Sequence, residues 1–179
     1  KLSPLERYER DLRDPQFFSD AVQVQAVEAL QLVYEALLRP EPVPETGWLS
    51  RLRTQLSEPP VKAPVKGLYL WGGVGRGKTH LVDSFHEALP VERKMRIHFH
   101  RFMQRIHHEL RSLGGKSDPL LTVADRIAAE ARVLTFDEFH VSDITDAMLL
   151  GRLLDAMFAR GVTLVTTSNI APDGLYAGG

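Results

Sequence analysis

Residues 72–79 read Gly72-Gly73-Val74-Gly75-Arg76-Gly77-Lys78-Thr79, and they directly follow the apolar run Leu68-Tyr69-Leu70-Trp71. The spacing G-x-x-x-x-G-K-[ST] after a strand is typical of a phosphate loop, in which successive backbone N–H groups surround the phosphates of a nucleotide. In such a loop Lys78 reaches the β and γ phosphates, and the Thr79 hydroxyl contacts Mg²⁺. A plain glycine-rich turn would explain a shorter motif but not eight matching positions. The motif therefore predicts a nucleoside triphosphate site that consists of these eight residues and the next one, His80.

The composition fits one soluble globular domain. The chain has 179 residues, of which 44% are hydrophobic and 25% are charged. Its formal net charge of −1 argues against a surface built as a whole for nucleic acid or anionic membranes. Because cysteine is absent, disulfides and thiolate catalysis are excluded. No apolar run approaches the ~18 residues of a membrane span, so we expect a cytoplasmic protein. The sequence starts at Lys1 rather than at Met, and we expect the complete protein to be longer.

Three helices are predicted before the phosphate loop, two of them with clear start signals. The first starts at Ser3-Pro4, a typical cap followed by a proline in the first turn, and the second starts behind an Asp20 cap. We interpret residues 1–66 as a helical N-terminal segment with a proline-rich connector, and residues 67–179 as the nucleotide-binding core. The predicted bounds are about 3–13 and 20–38 for the two helices, with a further short helix around 48–56 among the prolines.

After the phosphate loop, short apolar strands alternate with amphipathic helices. Strands joined by helical crossovers run parallel, and their sheet is covered on both faces. The pattern therefore predicts an α/β fold, with a parallel sheet between two layers of helices. The strands are expected at residues 68–71, 95–99, 132–136 and 162–167, and the helices at about 78–89, 101–113, 119–130 and 150–158.

An acidic pair, Asp137-Glu138, closes the third predicted strand. A carboxylate at this place would face the Mg²⁺ of a nucleotide held by the phosphate loop. We expect Asp137 to hold the metal, directly or through water, and Glu138 to orient and deprotonate the attacking water. The second acid favours a hydrolase over a nucleotide kinase. The structural alternative is a pair of solvated carboxylates at the start of the next helix.

The polar residue Asn169 comes just after the last predicted strand. If this strand lies between the strands that carry the two motifs, Asn169 can hydrogen-bond the γ-phosphate or the attacking water. We therefore take it as a catalytic candidate together with Lys78 and Glu138. The alternative is an ordinary turn signal before the Pro-Asp-Gly sequence at residues 172–174.

Residues 92–111 concentrate cationic and imidazole side chains. Two histidines are predicted on one strand face and two on the following helix, but no carboxylate completes a plausible metal geometry. We favour a solvated or partner-facing surface. Nucleic acid is the alternative, since a basic helix beside Phe99 and Phe102 could follow a phosphate backbone and stack bases. The strand histidines are His98 and His100, the helix histidines are His107 and His108, and the cations are Arg93, Lys94, Arg96, Arg101, Arg105 and Arg111.

On these motifs the chain resembles AAA+ ATPases, and more narrowly the ZapE family of bacterial cell-division ATPases with its mitochondrial AFG-type relatives. The resemblance rests on residues 67–79, 98–103, 136–139, 141–148 and 167–169. It implies ATP and Mg²⁺ as cofactors, a Walker B role for Asp137 and Glu138, and a sensor role for Asn169. It further implies a homo-oligomer that acts on a protein partner, which for this family is FtsZ.

The resemblance also implies a strand order. AAA+ sheets have the order 5-1-4-3-2, so 1-4-3-2 is expected here, with the fifth strand, the arginine finger and the helical lid absent from these residues. Arg160 is then a helix C-terminal charge rather than a finger. Since a finger supplied in trans is worth ~10³–10⁵ in turnover, we expect only weak hydrolysis from this chain alone. In such a family the N-terminal segment covers the adenine, which makes Gln23 a candidate base contact. His140 stands where an aromatic residue is expected after the acidic pair.

Two other functions remain open. A helicase-loader-like ATPase would bind single-stranded DNA through the region Arg96–Arg111, with an affinity that falls steeply with salt. A nucleotide kinase would transfer the phosphate to a nucleoside acceptor, but Glu138 and the lack of a legible second substrate pocket disfavour it.

Overall fold

The computed structural model describes residues 1–17, 19–40, 65–72 and 77–169. Along these residues helices and strands follow the predicted order, and most of their ends lie within two residues of the prediction. The helix predicted at about 150–158 is the exception, because it starts six residues earlier, at Ile144 behind an Asp143 cap. The short helix predicted around residues 48–56 lies outside the described residues, and so do the turn residues 172–174. The helices are α1 (Pro4–Asp11), α2 (Ala21–Leu38), α3 (Lys78–Ala88), α4 (Phe99–Ser112), α5 (Pro119–Glu130) and α6 (Ile144–Ala159), and the strands are β1 (Leu68–Trp71), β2 (Lys94–His98), β3 (Val133–Asp137) and β4 (Thr163–Ser168).

Within these residues the strands form one parallel sheet in the order β1-β4-β3-β2. This confirms the expected strand order and the α/β fold class. The register pairs Trp71 with Ser168 across β1 and β4, and His98 with Asp137 across β2 and β3. The carboxyl ends of the four strands therefore meet at one edge of the sheet, the edge at which open α/β sheets bind their ligands.

Alternate residues of the central strands face two hydrophobic layers. Leu134 and Phe136 pack with α4, α5 and α6, whereas Val133 and Val165 pack with α1, α2 and α3. In the first layer the ring centroids of Phe102 and Phe136 are 4.6 Å apart. The sheet thus lies between two layers of helices. In the described ranges, no helix is both long and apolar enough to cross a membrane.

The N-terminal helices start where their capping residues predict. Ser3 and Glu6 form a capping box: the Ser3 hydroxyl accepts from the Glu6 N–H at 3.3 Å, and the Glu6 carboxylate accepts from the Ser3 N–H at 2.7 Å. At the start of α2 the Asp20 side chain accepts from the Val22 N–H at 3.0 Å. Both helices pack on α3 through the second hydrophobic layer. The N-terminal helices therefore lie directly against the helix that follows the phosphate loop, while the division of the chain at residue 66 stays a prediction.

Two predictions for residues 98–102 are wrong. β2 ends at His98, where φ is −62° and ψ is 134°, and the chain turns into α4 at Phe99. His98 and His100 therefore share no strand face, because His100 lies on the helix. Phe99 and Phe102 are 5% and 0% exposed, on the side of α4 that faces the core. They are not available to stack nucleic acid bases.

A cavity of about 360 Å³ lies beside β1, at the outer edge of the sheet. Its walls are mostly apolar side chains, among them Tyr69, Phe139, Phe158 and Leu164. None of the predicted nucleotide-site residues lines it. The cavity is therefore separate from the carboxyl edge on which the sequence motifs converge.

Candidate nucleotide site

The helix of the phosphate loop starts at the carboxyl edge of the sheet. β1 leads into Gly72, and α3 begins at Lys78 behind Gly77. Gly77 has a φ of 73°, in the left-handed region that glycine adopts without steric cost. Gly77 provides no side-chain cap for α3, and the N–H groups at the start of a helix are suited to bind an anion. Thr79 is exposed at this end. Residues 73–76 lie outside the described ranges, so their phosphate contacts stay a prediction.

Lys78 connects the phosphate loop to the end of β4. Its ammonium nitrogen donates to the Gly72 carbonyl at 2.5 Å and to the side-chain oxygen of Asn169 at 3.2 Å. Neither of these two neutral acceptors removes the positive charge that a phosphate would meet. The structure therefore brings together two predicted catalytic residues that are 91 positions apart in sequence.

Asp137 ends β3 and is held by an arginine from β2. Arg96 donates from Nε to Asp137 Oδ2 at 2.7 Å and from Nη2 to Oδ1 at 3.0 Å, while Nη1 donates to Asp83 of α3. The hydrogen bond to Asp137 is the main cause that raises the pKa of Arg96, so the guanidinium stays charged. The sequence alone placed Arg96 among the cations of a basic surface. Arg96 lies two residues before His98, and His98 is the strand partner of Asp137. The contact between Arg96 and Asp137 can therefore be predicted only when the register of β2 and β3 is known.

Glu138 follows β3 in an unusual backbone conformation. Its φ of 56° lies in the left-handed region, which is uncommon for residues other than glycine and costs about 1–3 kcal/mol. The side chain is 82% exposed, and its Oε2 lies 4.0 Å from Nδ1 of His98. Two hydrogen bonds fix the next residue, since the Phe139 N–H donates to the Thr167 carbonyl at 2.9 Å and the Ser168 hydroxyl donates to the Phe139 carbonyl at 2.7 Å. The exposed carboxylate has the access to water that a general base requires.

Gln23 and His80 join the N-terminal helices to the start of α3. A Cβ placed on Gly77 would lie 2.9 Å from Gln23 Nε2, so the Gln23 side chain reaches the beginning of the helix. Nε2 of His80 lies 2.9 Å from Oδ2 of Asp11, and the ring centroids of His80 and Phe17 are 5.5 Å apart. Both residues thus lie close to the phosphate loop. Their contacts with a nucleotide stay predictions.

The cations of residues 92–111 do not form one exposed basic surface, which corrects the interpretation from sequence. Arg101 and Arg111 are exposed, but most of the others bind groups of the protein itself. A continuous track for a phosphate backbone is therefore missing from this region. The internal partners are the Ala128 carbonyl for Arg93 (2.7 Å), the His86 carbonyl for Lys94 (2.6 Å), the Asp137 carboxylate for Arg96 (2.7 Å) and the Glu130 carboxylate for Arg105 (2.7 Å).

The side chains at the carboxyl edge fit a cation that arrives with the nucleotide better than a resident metal ion. In the part of the chain that the structure describes, no group of three or more His, Cys, Asp or Glu side chains could hold a metal. Among the predicted histidines, His107 instead pairs with Asp146 at 2.7 Å. Mg²⁺ is commonly bound by one or two protein oxygens, with phosphate oxygens and water completing its shell. The Thr79 hydroxyl and the Asp137 carboxylate are such a donor set.

Known relatives match nearly the whole chain. The family model described as AFG1-like ATPase matches residues 2–179. The cell division protein ZapE of Escherichia coli strain K12 is 52% identical over 182 residues, which cover 99% of this chain and 48% of that protein. The chain spans about half the length of the curated relatives it matches.

Solved structures share the fold at low sequence identity. AMPPCP-bound DnaA from Aquifex aeolicus is 16% identical with a TM-score of 0.54, and the match covers 90% of this chain and 44% of that one. The DnaC helicase loader is 18% identical with a TM-score of 0.55, and the match covers 88% of this chain and 76% of that one. At such identities the likeness concerns the fold alone, which is that of P-loop AAA+ proteins.

Proposed function

Because the chain belongs to the AFG1-like ATPase family, we propose that it carries the nucleotide site of an AAA+ ATP hydrolase. The contact between Lys78 at the start of α3 and Asn169 at the end of β4 gives this proposal its strongest support. In this contact the ammonium group that we propose to bind phosphate donates to the amide that we propose to sense the γ-phosphate. The structure of DnaA from Aquifex aeolicus, which shares this fold, holds AMPPCP, so a fold of this kind can bind a nucleotide analogue.

The proposed roles follow from the chemistry of each side chain. Lys78 binds the β and γ phosphates, together with the N–H groups at the start of α3. Glu138 takes the proton of the attacking water, for which its exposed carboxylate is suited. Asn169 orients that water or the γ-phosphate through its side-chain amide. Gln23 and His80 contribute to the nucleotide pocket from the N-terminal side.

Thr79 and Asp137 would hold Mg²⁺ at this site. When bound, the metal neutralises charge on the phosphates. The oxygens of these residues are the hard ligands that Mg²⁺ prefers. Because Arg96 occupies only part of the lone pairs of Asp137, this carboxylate retains capacity to accept a further bond or a metal.

The biological role is proposed from the relative. ZapE of Escherichia coli is a cell division protein, and we propose that the protein acts in cell division as a cytoplasmic homo-oligomer on a protein partner. The family resemblance makes FtsZ the candidate. Because the neighbouring subunit would supply an arginine finger, this chain alone should bind ATP and hydrolyse it slowly.

A second candidate is an ATPase that binds single-stranded DNA, which the fold of the DnaC helicase loader favours. The burial of Phe99 and Phe102 and the internal pairing of most nearby cations weaken it. A titration of single-stranded DNA binding with salt separates the two candidates. Binding that falls steeply as salt rises would support a DNA-binding ATPase, and no binding at low salt would remove it. Phosphate release measured with and without nucleoside acceptors tests the nucleotide kinase.

The ATPase proposal is tested with Glu138→Gln and Lys78→Ala. We expect Glu138→Gln to reduce phosphate release by the whole protein about 10²-fold or more, because the general base is lost, while ATP binding by this chain persists. Lys78→Ala should instead weaken ATP binding. Glu92→Gln, which changes an exposed glutamate before β2, is the matched control and should behave as wild type. Unchanged phosphate release in Glu138→Gln would contradict the role of that residue.

A further inference from the structure

Arg96 bridges two carboxylates that come from different elements of the candidate site. Its Nε and Nη2 bind both oxygens of Asp137 at the end of β3, and its Nη1 binds Asp83 on α3. The Arg96 and Asp137 side chains are 21% and 16% exposed, whereas that of Asp83 is 46% exposed. The bridge is thus mostly buried at Asp137 and open to solvent at Asp83.

The position of Asp83 places this bridge on the phosphate-loop helix. Asp83 follows Thr79 by four residues on α3, so the two side chains lie on the same face of the helix. Arg96 therefore ties the helix of the phosphate loop to the strand that ends in Asp137. A planar guanidinium that binds a carboxylate through two parallel hydrogen bonds restrains its orientation more than a single bond does.

The charges of the three side chains also matter for a cation. Arg96 and Asp137 alone would sum to zero, and a neutral pair attracts Mg²⁺ poorly. Asp83 restores one net negative charge to the group. The burial of Asp137 makes this charge more effective than one in bulk water, because screening is weaker there.

We propose that Arg96 is a positioning residue that holds the Asp137 carboxylate for the cation of the bound nucleotide, and that Asp83 offsets the charge of Arg96. The inference rests on the proposed function, since it concerns the same cation. The opposite arrangement is a latch, in which Arg96 competes with the cation for Asp137. The two arrangements predict opposite changes in the Mg²⁺ midpoint, the Mg²⁺ concentration at which its effect on nucleotide binding is half complete. Loss of a positioning residue raises this midpoint, and loss of a latch lowers it.

The experiment measures binding of a fluorescent ATP analogue to this chain, first in EDTA and then along a Mg²⁺ titration. The variants are Arg96→Gln, Arg96→Lys and Asp83→Asn. Arg105→Lys is the matched control, because Arg105 also binds a carboxylate through two nitrogens, at Glu130 on the α4 and α5 side of the sheet. Affinity in EDTA reports whether the phosphate loop is intact, and the Mg²⁺ midpoint reports on Asp137.

Arg96→Lys keeps the charge but loses the two parallel bonds, so we expect it to raise the Mg²⁺ midpoint about 10-fold, as is typical when the partner of a metal-binding side chain is removed. Arg96→Gln loses the same bonds but also adds one net negative charge to the group, so its midpoint should rise less than that of Arg96→Lys. Asp83→Asn removes one negative charge and should raise the midpoint about 3- to 10-fold. Affinity in EDTA should stay unchanged in all of them, and Arg105→Lys should match wild type.

A lower Mg²⁺ midpoint in Arg96→Lys would overturn the proposal in favour of a latch. An unchanged midpoint in Arg96→Lys would reduce the bridge to a structural contact. If the Arg96 variants fail to fold, Asp83→Asn still decides, because Asp83 is half-exposed, and an unchanged midpoint there would refute the role of the charge. A wild-type chain that binds no ATP analogue would contradict the proposed function itself, and this inference with it.

Discussion

Replacing Gly67 by alanine is expected to destabilise the strand that leads to the phosphate loop. Gly67 directly precedes β1, and a Cβ added there would lie 1.9 Å from the Leu164 carbonyl oxygen of β4. A Cβ essentially never comes within 3.0 Å of another non-bonded heavy atom, so the backbone before β1 would have to move by about 1 Å or more. The obstacle is a backbone atom, which cannot rotate away as a long side chain can. The same shift would disturb the hydrogen bond from the Thr163 hydroxyl to the Val65 carbonyl, which measures 3.0 Å.

The size of the effect follows from the cost of overpacking, which is about 1–3 kcal/mol. Because backbone must move against backbone, we expect a loss near 3 kcal/mol in the free energy of unfolding. For a chain of this length this corresponds to a fall in Tm of roughly 6–12 °C. Circular dichroism melts of Gly67→Ala without nucleotide measure the fall. A second measurement of ATP-analogue affinity should show weaker binding, since β1 carries the phosphate loop.

Gly151 provides the matched control. It lies within α6, and nothing stands within 4 Å of a Cβ placed on it. Gly151→Ala should therefore stabilise the protein by up to about 1 kcal/mol, because alanine favours the helix more than glycine does. The two substitutions are chemically identical and should have opposite signs. If Gly67→Ala melts at or above the wild-type temperature, the close approach of Gly67 to β4 is refuted.

Two further predictions concern the N-terminal cap and the pH dependence of stability. Ser3→Ala removes the capping box of α1 and should lower the free energy of unfolding by about 1 kcal/mol in a urea titration, whereas a value equal to wild type would mean that the cap contributes nothing. Burial lowers the pKa of the half-buried His86, and the charges of Lys94 and Arg96 lower it further. The folded state therefore favours the neutral imidazole. The stability that this residue contributes is complete above about pH 6.5 and is lost as pH falls through the lowered folded-state pKa. His86→Gln should therefore reduce the loss of stability on acidification below that pH, and parallel urea-stability profiles for wild type and variant would contradict this.

Local sequence signals predicted most of the secondary structure because each depends on neighbouring residues. The Ser3 and Asp20 caps start α1 and α2 as expected. The end of β2 was predicted one residue too late, at Phe99. Met95, Ile97 and Phe99 alternate as apolar residues of a strand do, but Phe99 is the first residue of α4 and is buried there. The strand order 1-4-3-2 came from the family resemblance and not from the pattern, since nothing local distinguishes which parallel strands are neighbours.

The candidate site was predictable where it lies in contiguous motifs and unpredictable where it depends on register. Lys78 and Asn169 were both identified from their own segments, and the structure brings them into contact. Arg96 was not, because its partners lie 13 and 41 residues away in the chain. In sequence it counts as one more positive charge of a basic stretch. Only the pairing of β2 with β3 shows that it belongs to Asp137.

The strained backbone of Glu138 connects the candidate general base to the hydrophobic core. A left-handed conformation at a non-glycine residue persists only when the surrounding structure fixes it. Here the next residue supplies that constraint, since Phe139 is 8% exposed and its ring centroid lies 4.7 Å from that of Phe99 and 6.1 Å from that of Phe136. The exposed His140 therefore has no part in this packing, although an aromatic residue was expected at its position. Because Phe139 is anchored in the core, Glu138 is exposed to water without the mobility of a free loop, and this combination is what a general base at the edge of a sheet requires.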